Sequence, residues 1–351
     1  MDTLTHALSG ALLARASASR AATGALELPR RVGLGTLAAA FPDADFVQSF
    51  GSPVAYMLTH RGLTHSLVLL PLWALLLAWI AMRVFRDPRG LRPYLAVSAM
   101  GIGIHIAGDL ITSYGTMIYA PLSDVRIAFH TTFIIDLYFS GIIVAGLAFS
   151  GVWRKSRLPA IAACAMLVAY VGMQALLRNE AISIGAEYQR AQRLEHTQVI
   201  ALPRALSPFN WTIVVAGENE QHYANVNLLR EAMPPAAGPD AGLIARITSA
   251  FPPAHLARWI PAPRFGATAE DARIAREAWS QPSFAFYRWF ASVPSLHRID
   301  RGNPSSCVWF EDLRFAMQGR TAVPFRYGMC MEAGGRWQPF RLLEDGSRES
   351  V

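Results

Sequence analysis

Long runs of uncharged, mostly apolar residues alternate with short clusters of arginine in the first half of the chain. Four of these runs approach the roughly 20 residues that a helix needs to cross a bilayer. They cover residues 66–82, 93–111, 133–153 and 158–177. The pattern predicts four membrane-spanning helices, with four buried helices of a soluble core as the alternative.

Two shorter apolar pieces precede the four runs, at residues 3–14 and 32–41. Each is about half the length of a spanning helix. Such pieces are stable in a membrane protein when protein or water covers their ends. We therefore expect two short N-terminal helices that are re-entrant or packed inside the bundle.

The arginine clusters give the predicted helices an orientation. They follow the first and the third of the four runs, and the positive-inside rule makes those two connections cytoplasmic. Residues 60–65, the segment 112–132 and everything after residue 178 are then predicted on the non-cytoplasmic face.

Charged residues return after residue 178, and the pattern changes to short alternating runs. Two of these runs, Trp211–Ala216 and His222–Leu228, flank Gly217-Glu218-Asn219, which is typical of a β-hairpin. Residues 269–279 are typical of a helix. This part of the chain carries no motif with an assignable chemistry.

These patterns predict a mainly α protein in two parts. Residues 1–180 form a polytopic membrane helical bundle of about four spanning helices plus the short N-terminal ones. Residues 181–351 form an α+β extramembrane domain on the non-cytoplasmic side.

Composition agrees with a membrane protein. Of the 351 residues, 52% are hydrophobic and 16% are charged, against about 25% charged in typical soluble proteins. The net charge of +7 comes almost wholly from arginine, since Lys155 is the only lysine. No basic run with interleaved aromatic residues occurs, which argues against nucleic acid as a partner. The expected partner is the lipid bilayer, and the oligomeric state stays open.

The three cysteines, Cys164, Cys307 and Cys330, show no CxxC or CxxxC spacing. Cys164 lies in an apolar run. Cys307 and Cys330 could pair if their domain faces an oxidising space, and the sequence leaves this open.

Histidine and aspartate side chains gather in the apolar first half, and five of the nine histidines precede residue 131. His105 and Asp109 are spaced i, i+4, so they share one helix face and can bind one cation. An ionisable residue in a spanning helix costs about 2.5–3.5 kcal/mol, which a shared divalent cation would offset. The alternative is a hydrogen-bonded pair that stabilises the bundle.

Two other segments contribute candidate residues. Asp43 and Asp45 follow Pro42, and carboxylates so close repel each other unless a cation or hydrogen bonds separate them. Helix capping is the alternative for these aspartates. His60 and His65 would diverge on a regular helix, so we expect His60 on a loop and His65 at the first turn of the next helix.

Further polar residues fall on the same predicted face of the membrane. Arg61 could hold an anionic group such as phosphate. Asp136 is expected inside an apolar helix, with a hydrogen bond to a neighbour as the simpler explanation. Thr112, Ser113, His130 and Asp136 are predicted to support the metal ligands. Histidine and aspartate without cysteine suit zinc, and less well manganese or iron.

The motifs occur in an order that resembles the YdjM-like family. They are MDTLTHALSGALLARA, FPDAD, HRGLTHS, HIAGDLITSYGT and FIIDLYF. That family comprises LexA-regulated, membrane-bound, predicted metal-dependent hydrolases, and the resemblance covers roughly residues 1–180. It implies a multi-pass protein of the bacterial inner membrane.

The family is in turn distantly similar to zinc-dependent phospholipase C and the S1/P1 nucleases, which are α-helical phosphodiesterases with clustered zinc. This similarity implies that Asp45, His60, His105 and Asp109 form one zinc site. His6 would bind a second ion, with Asp109 bridging the two. The chain lacks a further histidine and an additional HxxxD/E motif of those enzymes, so the expected cofactor is one to three zinc ions.

The sequence therefore predicts a membrane-bound metal-dependent hydrolase acting on a phosphoester or other ester of a lipid-like substrate. A zinc-bound water has a pKa near 7. The predicted catalytic residues are Asp43, Asp45, Arg61 and His65. An aspartate would orient that water or accept its proton, and Arg61 would hold the substrate charge.

Two rival functions follow from the same residues. One is a non-enzymatic membrane protein whose cluster is a structural or ion-handling metal site. The other is a membrane metalloprotease, which the absence of an HExxH motif disfavours. Transport is disfavoured by the absence of repeated hydrophobic halves.

Overall fold

The chain divides into two compact units. The computed structural model describes residues 1–18, 25–238, 240–302, 306–316, 323–332 and 335–351. The first unit comprises residues 1–51 and 59–176, and the second comprises residues 52–58 and 177–351. The division falls within a long helix, Leu158–Ala191, and the predicted boundary after residue 180 lies in the same helix.

The first unit is helical. Its elements are α1 (Thr3–Ala16), α2 (Leu28–Ala40), a 3₁₀ helix (Phe41–Phe50), a short 3₁₀ helix (Leu63–His65), α4 (Leu70–Phe85), α5 (Arg92–Leu110), α6 (Leu137–Val152) and the first part of α7 (Leu158–Ala191). The short helix α3 (Pro53–Thr59) lies between the two 3₁₀ helices in sequence, and most of it belongs to the second unit.

Small residues bring the backbones of α1, α2 and α5 into close approach. A Cβ atom on Gly10 of α1 would lie 2.2 Å from the carbonyl oxygen of Gly35 in α2. A Cβ atom on Gly101 of α5 would lie 2.6 Å from the Cβ of Ala38 in α2. Since larger side chains would separate these helices, the glycines determine how closely α5 faces α1 and α2.

The prediction of four spanning helices, and with it the polytopic bundle, is wrong. Among the described residues, α7 is the one helix that is long and apolar enough to cross a membrane. A second candidate arises if residues 53–65 and α4, which meet at a bend of 77°, form one span. Helices α4 and α6 have 16 residues each. At 1.5 Å per residue they reach about 24 Å, short of the roughly 30 Å hydrocarbon core.

Helix α5 has 19 residues, long enough for a span, but it is not apolar enough to be a candidate. Its buried residues include Ser98, His105 and Asp109. His105 contacts the Ala39 carbonyl of α2, and Asp109 contacts His6 of α1. The run between the charged residues predicted a span because it is long and uncharged, but His105 and Asp109 make the helix as a whole less apolar than a span.

The second unit contains two antiparallel sheets. The first has the order β1-β2-β3-β4 and the second the order β5-β6-β7-β8-β9. The strands are Gln198–Pro203, Asn210–Ala216, Gln221–Asn227, Ile260–Pro261, Pro294–Asp300, Ser306–Asp312, Tyr327–Met331, Trp337–Leu342 and Arg348–Ser350. Besides most of α3 and the last part of α7, this unit contains the helices α8 (Leu243–Ser249), α9 (Ala269–Ser280) and α10 (Ala285–Phe290).

Two local predictions for this unit are confirmed. Strands β2 and β3 form a hairpin in which Ala216 pairs with Gln221, and the Gly217 N–H donates to the Glu220 carbonyl at 2.9 Å. Helix α9 begins after Thr268, whose side chain caps the helix by accepting from the Asp271 N–H. Both elements depend on contacts between near neighbours in sequence.

Cys307 and Cys330, whose pairing the sequence left open, form a disulfide. They occupy directly paired positions on β6 and β7. The pairing of these two strands therefore brings the sulfur atoms together.

Candidate metal centre

Four side chains from three elements converge inside the first unit. His105 and Asp109 lie one turn apart on α5, Asp43 lies on the Phe41–Phe50 3₁₀ helix, and His65 ends the Leu63–His65 3₁₀ helix. One ligand atom from each lies within 4.8 Å of the others. His65, His105 and Asp109 are fully buried, and the Asp43 side chain is 12% exposed. This group has the composition and compactness of a metal site.

The shortest separations in the cluster join three atoms. The Nε2 atoms of His65 and His105 are 2.9 Å apart. Asp109 Oδ2 lies 3.2 Å from the first and 3.4 Å from the second. Asp43 Oδ1 is slightly farther, at 3.7 Å from His65 Nε2 and 3.6 Å from His105 Nε2.

Hydrogen bonds on the outer side of each imidazole determine its tautomer. His105 Nδ1 donates to the Ala39 carbonyl at 2.6 Å, because a carbonyl can only accept. Thr64 Oγ1 donates to Asp45 Oδ2 at 3.2 Å, so this hydroxyl accepts from His65 Nδ1 at 3.0 Å. In the neutral form of each ring this leaves the lone pair on Nε2, as in histidines that bind metal. Burial opposes the charge of His65, but hydrogen bonding to Asp109 and Asp43 raises its pKa above the usual value.

The inner face of the cluster holds three atoms that can bind a cation. The two Nε2 atoms lie close to each other and to the buried Asp109 Oδ2. Buried acceptors that face one another are costly unless a cation or proton lies between them. Two imidazoles and two carboxylates fit a divalent ion such as zinc.

The other carboxylate oxygen of Asp109 is held by three donors. Oδ1 accepts from the Met1 amino group, from His6 Nε2 at 3.0 Å and from the Arg61 guanidinium at 2.9 Å. Burial favours a higher pKa for Asp109, but the charges of Arg61 and the amino group hold that pKa well below its usual range. Asp109 is consequently a carboxylate at neutral pH.

Asp43 is likewise ionised. Burial opposes its charge, yet hydrogen bonding to His65 and the Thr3 hydroxyl lowers its pKa below the usual range. Thr3 Oγ1 donates to Oδ2 at 2.7 Å, which leaves Oδ1 facing the cluster.

His6, a predicted ligand of a second ion, lies beside the cluster. Its ring stacks on His105 with the centroids 3.7 Å apart. Burial lowers the pKa of His6 to about 3, so the ring is neutral. A Cβ atom on Gly108 would lie 3.1 Å from His6 Cε1, so glycine at this position makes room for the ring. Whether His6 binds a second ion stays a prediction.

Asp45 and His60, also predicted ligands, form a neighbouring pair. His60 Nδ1 donates to Asp45 Oδ1 at 2.8 Å, and Asp45 Oδ2 accepts from the Arg61 N–H at 3.0 Å. Asp45 therefore holds the 60–65 segment in place. The structure groups Asp43 and His65, which the sequence assigned to catalysis, with His105 and Asp109. The ligand role of Asp45 and His60 stays a prediction.

Arg61 is buried beside Asp109 and adopts a positive φ of 60°. Its guanidinium also donates to Thr112 Oγ1 at 2.9 Å and stacks over the Tyr114 ring at 4.8 Å. The charge of Arg61 thus compensates that of Asp109, and its predicted contact with a substrate stays a prediction.

Three further residues were predicted to support the metal ligands, namely Thr112, Ser113 and His130. Thr112 links Arg61 to the Asp109 carbonyl, to which it donates at 2.8 Å. Ser113 follows Thr112 and is partly buried. His130 lies in a segment whose neighbours Phe129 and Thr131 donate to carbonyls at the end of α5.

Asp136 is not inside an apolar helix as predicted. It caps α6, accepting from the Tyr138 and Phe139 N–H groups, and its other oxygen accepts from the Tyr170 hydroxyl at 2.8 Å. A carboxylate satisfied in this way has a structural role. Because the residues on both sides of Asp136 are apolar, the sequence pattern did not show that α6 begins at Leu137.

Some contributors to the site were not predicted. They are the Met1 amino group, the Thr3 and Thr64 hydroxyls and the Ala39 carbonyl. Thr64 lies within the HRGLTHS motif and could have been suspected. The Ala39 carbonyl carries no sequence signal, because every residue has one.

Comparisons with known proteins concern the same half of the chain. Residues 1–181 match the family described as YdjM inner membrane protein. An uncharacterized protein, YfhP of Bacillus subtilis (strain 168), is 25% identical over 174 residues, which are 49% of this chain and 52% of that protein. The match thus spans about half the length of this curated relative. No solved structure matches the chain, and the similarity to phospholipase C and the S1/P1 nucleases stays a prediction.

Proposed function

The chain belongs to the YdjM inner membrane protein family, and from this premise we propose that it is a membrane-bound, metal-dependent hydrolase. Its substrate is a phosphoester or related ester of a lipid-like molecule. The cation is held by His65, His105 and Asp109, with Asp43 at the open side.

One observation carries the proposal. Two imidazole Nε2 atoms and Asp109 Oδ2 lie within 3.4 Å of one another in a buried site. A structural hydrogen-bond network would alternate donors and acceptors, as buried polar groups normally do. A shared cation satisfies all three atoms at once.

The division of roles follows from burial. Three protein ligands with a further open position are typical of catalytic zinc sites. Asp43 is the member of the cluster with partial exposure, so it is suited to orient a water or accept its proton. A bound divalent cation would supply Lewis acidity, lowering the pKa of that water and polarising the scissile bond. Arg61 keeps Asp109 ionised.

A lipid-like substrate is supported by the surface next to the cluster. The 3₁₀ helix that carries Asp43 also exposes Phe46, Val47 and Phe50, at 52%, 56% and 82%. Adjoining apolar side chains at this density are typical of contact with a membrane or ligand. An amphipathic substrate would reach Asp43 across them.

We place the cluster toward the non-cytoplasmic end of α7. Asp136, at the start of α6, accepts from the hydroxyl of Tyr170, which lies in the second half of the apolar part of α7. Ser140 Oγ, one turn into α6, lies 3.1 Å from Oγ1 of Thr5, the residue before His6. The arginine-rich connection precedes α7 and is cytoplasmic by the positive-inside rule. The Cys307–Cys330 disulfide supports an oxidising space for the second unit.

Metal analysis and turnover of the full-length protein in detergent test the proposal. The wild-type protein is expected to retain about one equivalent of divalent metal or more and to hydrolyse bis-p-nitrophenyl phosphate or a short-chain phospholipid. His105→Ala is expected to lose both. His255→Ala, which changes an exposed histidine, is the matched control and is expected to keep both. Stoichiometric metal in His105→Ala would refute the ligand assignment.

A structural or ion-handling metal site is the second candidate, because His65, His105 and Asp109 are fully buried. A closed site retains metal but has no position for water. Asp43→Asn separates the two functions. In a hydrolase, the wild type hydrolyses substrate, and Asp43→Asn keeps the metal but loses turnover. In a structural site, Asp43→Asn and the wild type contain equal amounts of metal, and neither hydrolyses substrate.

A further inference from the structure

A groove of about 510 Å³ opens between α6 and α7, at the end of the first unit where these helices connect. Phe149, Trp153 and Met166 are among its walls. Ser156 is the one hydroxyl-bearing side chain among the described residues that line it. The groove therefore suits a hydrocarbon chain rather than a polar ligand.

Small residues shape the groove. A Cβ atom on Gly146 would lie 2.3 Å from the Cβ of Ala163, so the two helices touch at this crossing. Ala145 and Ala162 are exposed and line the walls beside the crossing. The groove is consequently narrow at its floor and open along its side.

Cationic side chains stand at the connected end of the groove. Arg154, Lys155 and Arg157 are all exposed in the α6–α7 connection. Buried Arg15 donates to the carbonyls of Arg154 at 2.9 Å and Ser156 at 2.6 Å. These bonds hold the connection, and with it the three charges, against the first unit.

We propose that this groove binds an anionic phospholipid of the surrounding bilayer, with an acyl chain in the groove and the phosphate at the cationic connection. Basic pockets beside membrane helices on the cytoplasmic side select anionic headgroups. Helix α7 is the candidate span, so its apolar wall lies where lipid is available. The site is separate from the metal cluster, which adjoins the opposite end of α6.

Lys155 makes the proposal directly testable, because it is the only lysine of the chain. The full-length protein in neutral detergent is titrated with phosphatidylglycerol or with phosphatidylcholine of the same acyl chains. The rate at which an amine-reactive reagent labels Lys155 is followed by peptide mass spectrometry. Phosphatidylglycerol is expected to slow the labelling saturably, and phosphatidylcholine is not.

Two pairs of variants separate the headgroup contact from the acyl contact. Arg154→Gln/Arg157→Gln is expected to weaken protection by phosphatidylglycerol about 30-fold, at roughly fivefold per charge. Arg83→Gln/Arg86→Gln removes two exposed arginines from the α4–α5 region and is expected to have no effect. Equal loss in both double variants would show a general charge effect and overturn the site.

The acyl contact is read from quenching of Trp153 by brominated lipid chains, using Trp153→Phe to isolate its signal. Ala162→Phe fills the groove and is expected to abolish this quenching. Ala165→Phe alters an exposed position on the same helix outside the groove and is expected to preserve it. Unchanged quenching in Ala162→Phe would overturn the proposal. So would a dimer that Ala162→Phe dissociates, because a second copy would then occupy the groove.

Discussion

The two units of this protein each bury carboxylates, but they satisfy them differently. In the second unit, Asp312 is fully buried and accepts from the Ser292 N–H, the Arg314 N–H and Arg314 Nε, each at 2.9 Å. Buried Arg204 donates nearby to the carbonyls of Arg314 and Leu313. Donors and acceptors alternate throughout this network.

In the first unit, Asp109 is equally buried, but its two oxygens differ. Oδ1 accepts from three donors, while Oδ2 lies 3.2 and 3.4 Å from the Nε2 atoms of His65 and His105. A network that satisfies every atom needs nothing from outside the chain. A buried cluster whose imidazole and carboxylate atoms converge on one point could instead hold a cation, so burial and polarity alone do not distinguish a site from a structural network.

The largest effect is expected from removing the Asp109 charge. Asp109→Asn should lose bound metal, and turnover should fall about 10³-fold or more, because metal polarisation supplies several kcal/mol of transition-state stabilisation. Metal content and hydrolysis are measured on the purified protein. Asp124→Asn, at an exposed position, is the control. If Asp109→Asn retained its metal, Asp109 would not be a ligand, and the proposed difference in role between Asp109 and Asp312 would be wrong.

The corresponding change in the second unit should affect stability instead. Asp312→Asn leaves the buried Arg314 charge without its counter-ion and should lower the free energy of unfolding by about 3 kcal/mol. Bound metal per folded protein should not change. Thermal unfolding and metal analysis are compared with Glu349→Gln, a change at an exposed ion pair expected to cost less than about 1 kcal/mol. Metal loss in Asp312→Asn would contradict the structural interpretation.

Metal removal should act on the first unit alone. A ligand at a hundredfold excess over its dissociation constant stabilises the protein by about 2.7 kcal/mol. A chelator should therefore increase amide hydrogen exchange in α5 and leave the strands of the second unit unchanged. Exchange that rises equally in both units would indicate general destabilisation.

The smallest expected effect separates ligands from supporting residues. His60→Ala removes the hydrogen bond to Asp45 and should weaken metal binding about 10–100-fold, as supporting residues do. His60→Asn presents an amide N–H near the position of Nδ1 and should restore most of the affinity. Loss of stoichiometric metal in both variants would instead make His60 a ligand, as the sequence predicted.

Local features could be predicted from the sequence because they depend on near neighbours. The i, i+4 spacing puts His105 and Asp109 on one face of α5. The turn residues around Gly217 and the helical pattern of residues 269–279 likewise predicted the β2–β3 hairpin and α9. In each case, backbone geometry within a few residues decides the outcome.

The sequence by itself determined the family, the residue types of the cluster and the apolar character of the first half. The tertiary structure alone decided that Asp43 lies near the Nε2 atoms of His65 and His105 while Asp45 lies near Nδ1 of His60 and His65, because both aspartates lie on one 3₁₀ helix whose orientation depends on its packing. It also decided that His105 and Asp109 of α5 contact α2 and α1. Apolar surface is removed from water equally by lipid and by protein, so an uncharged run does not specify which of the two covers a helix.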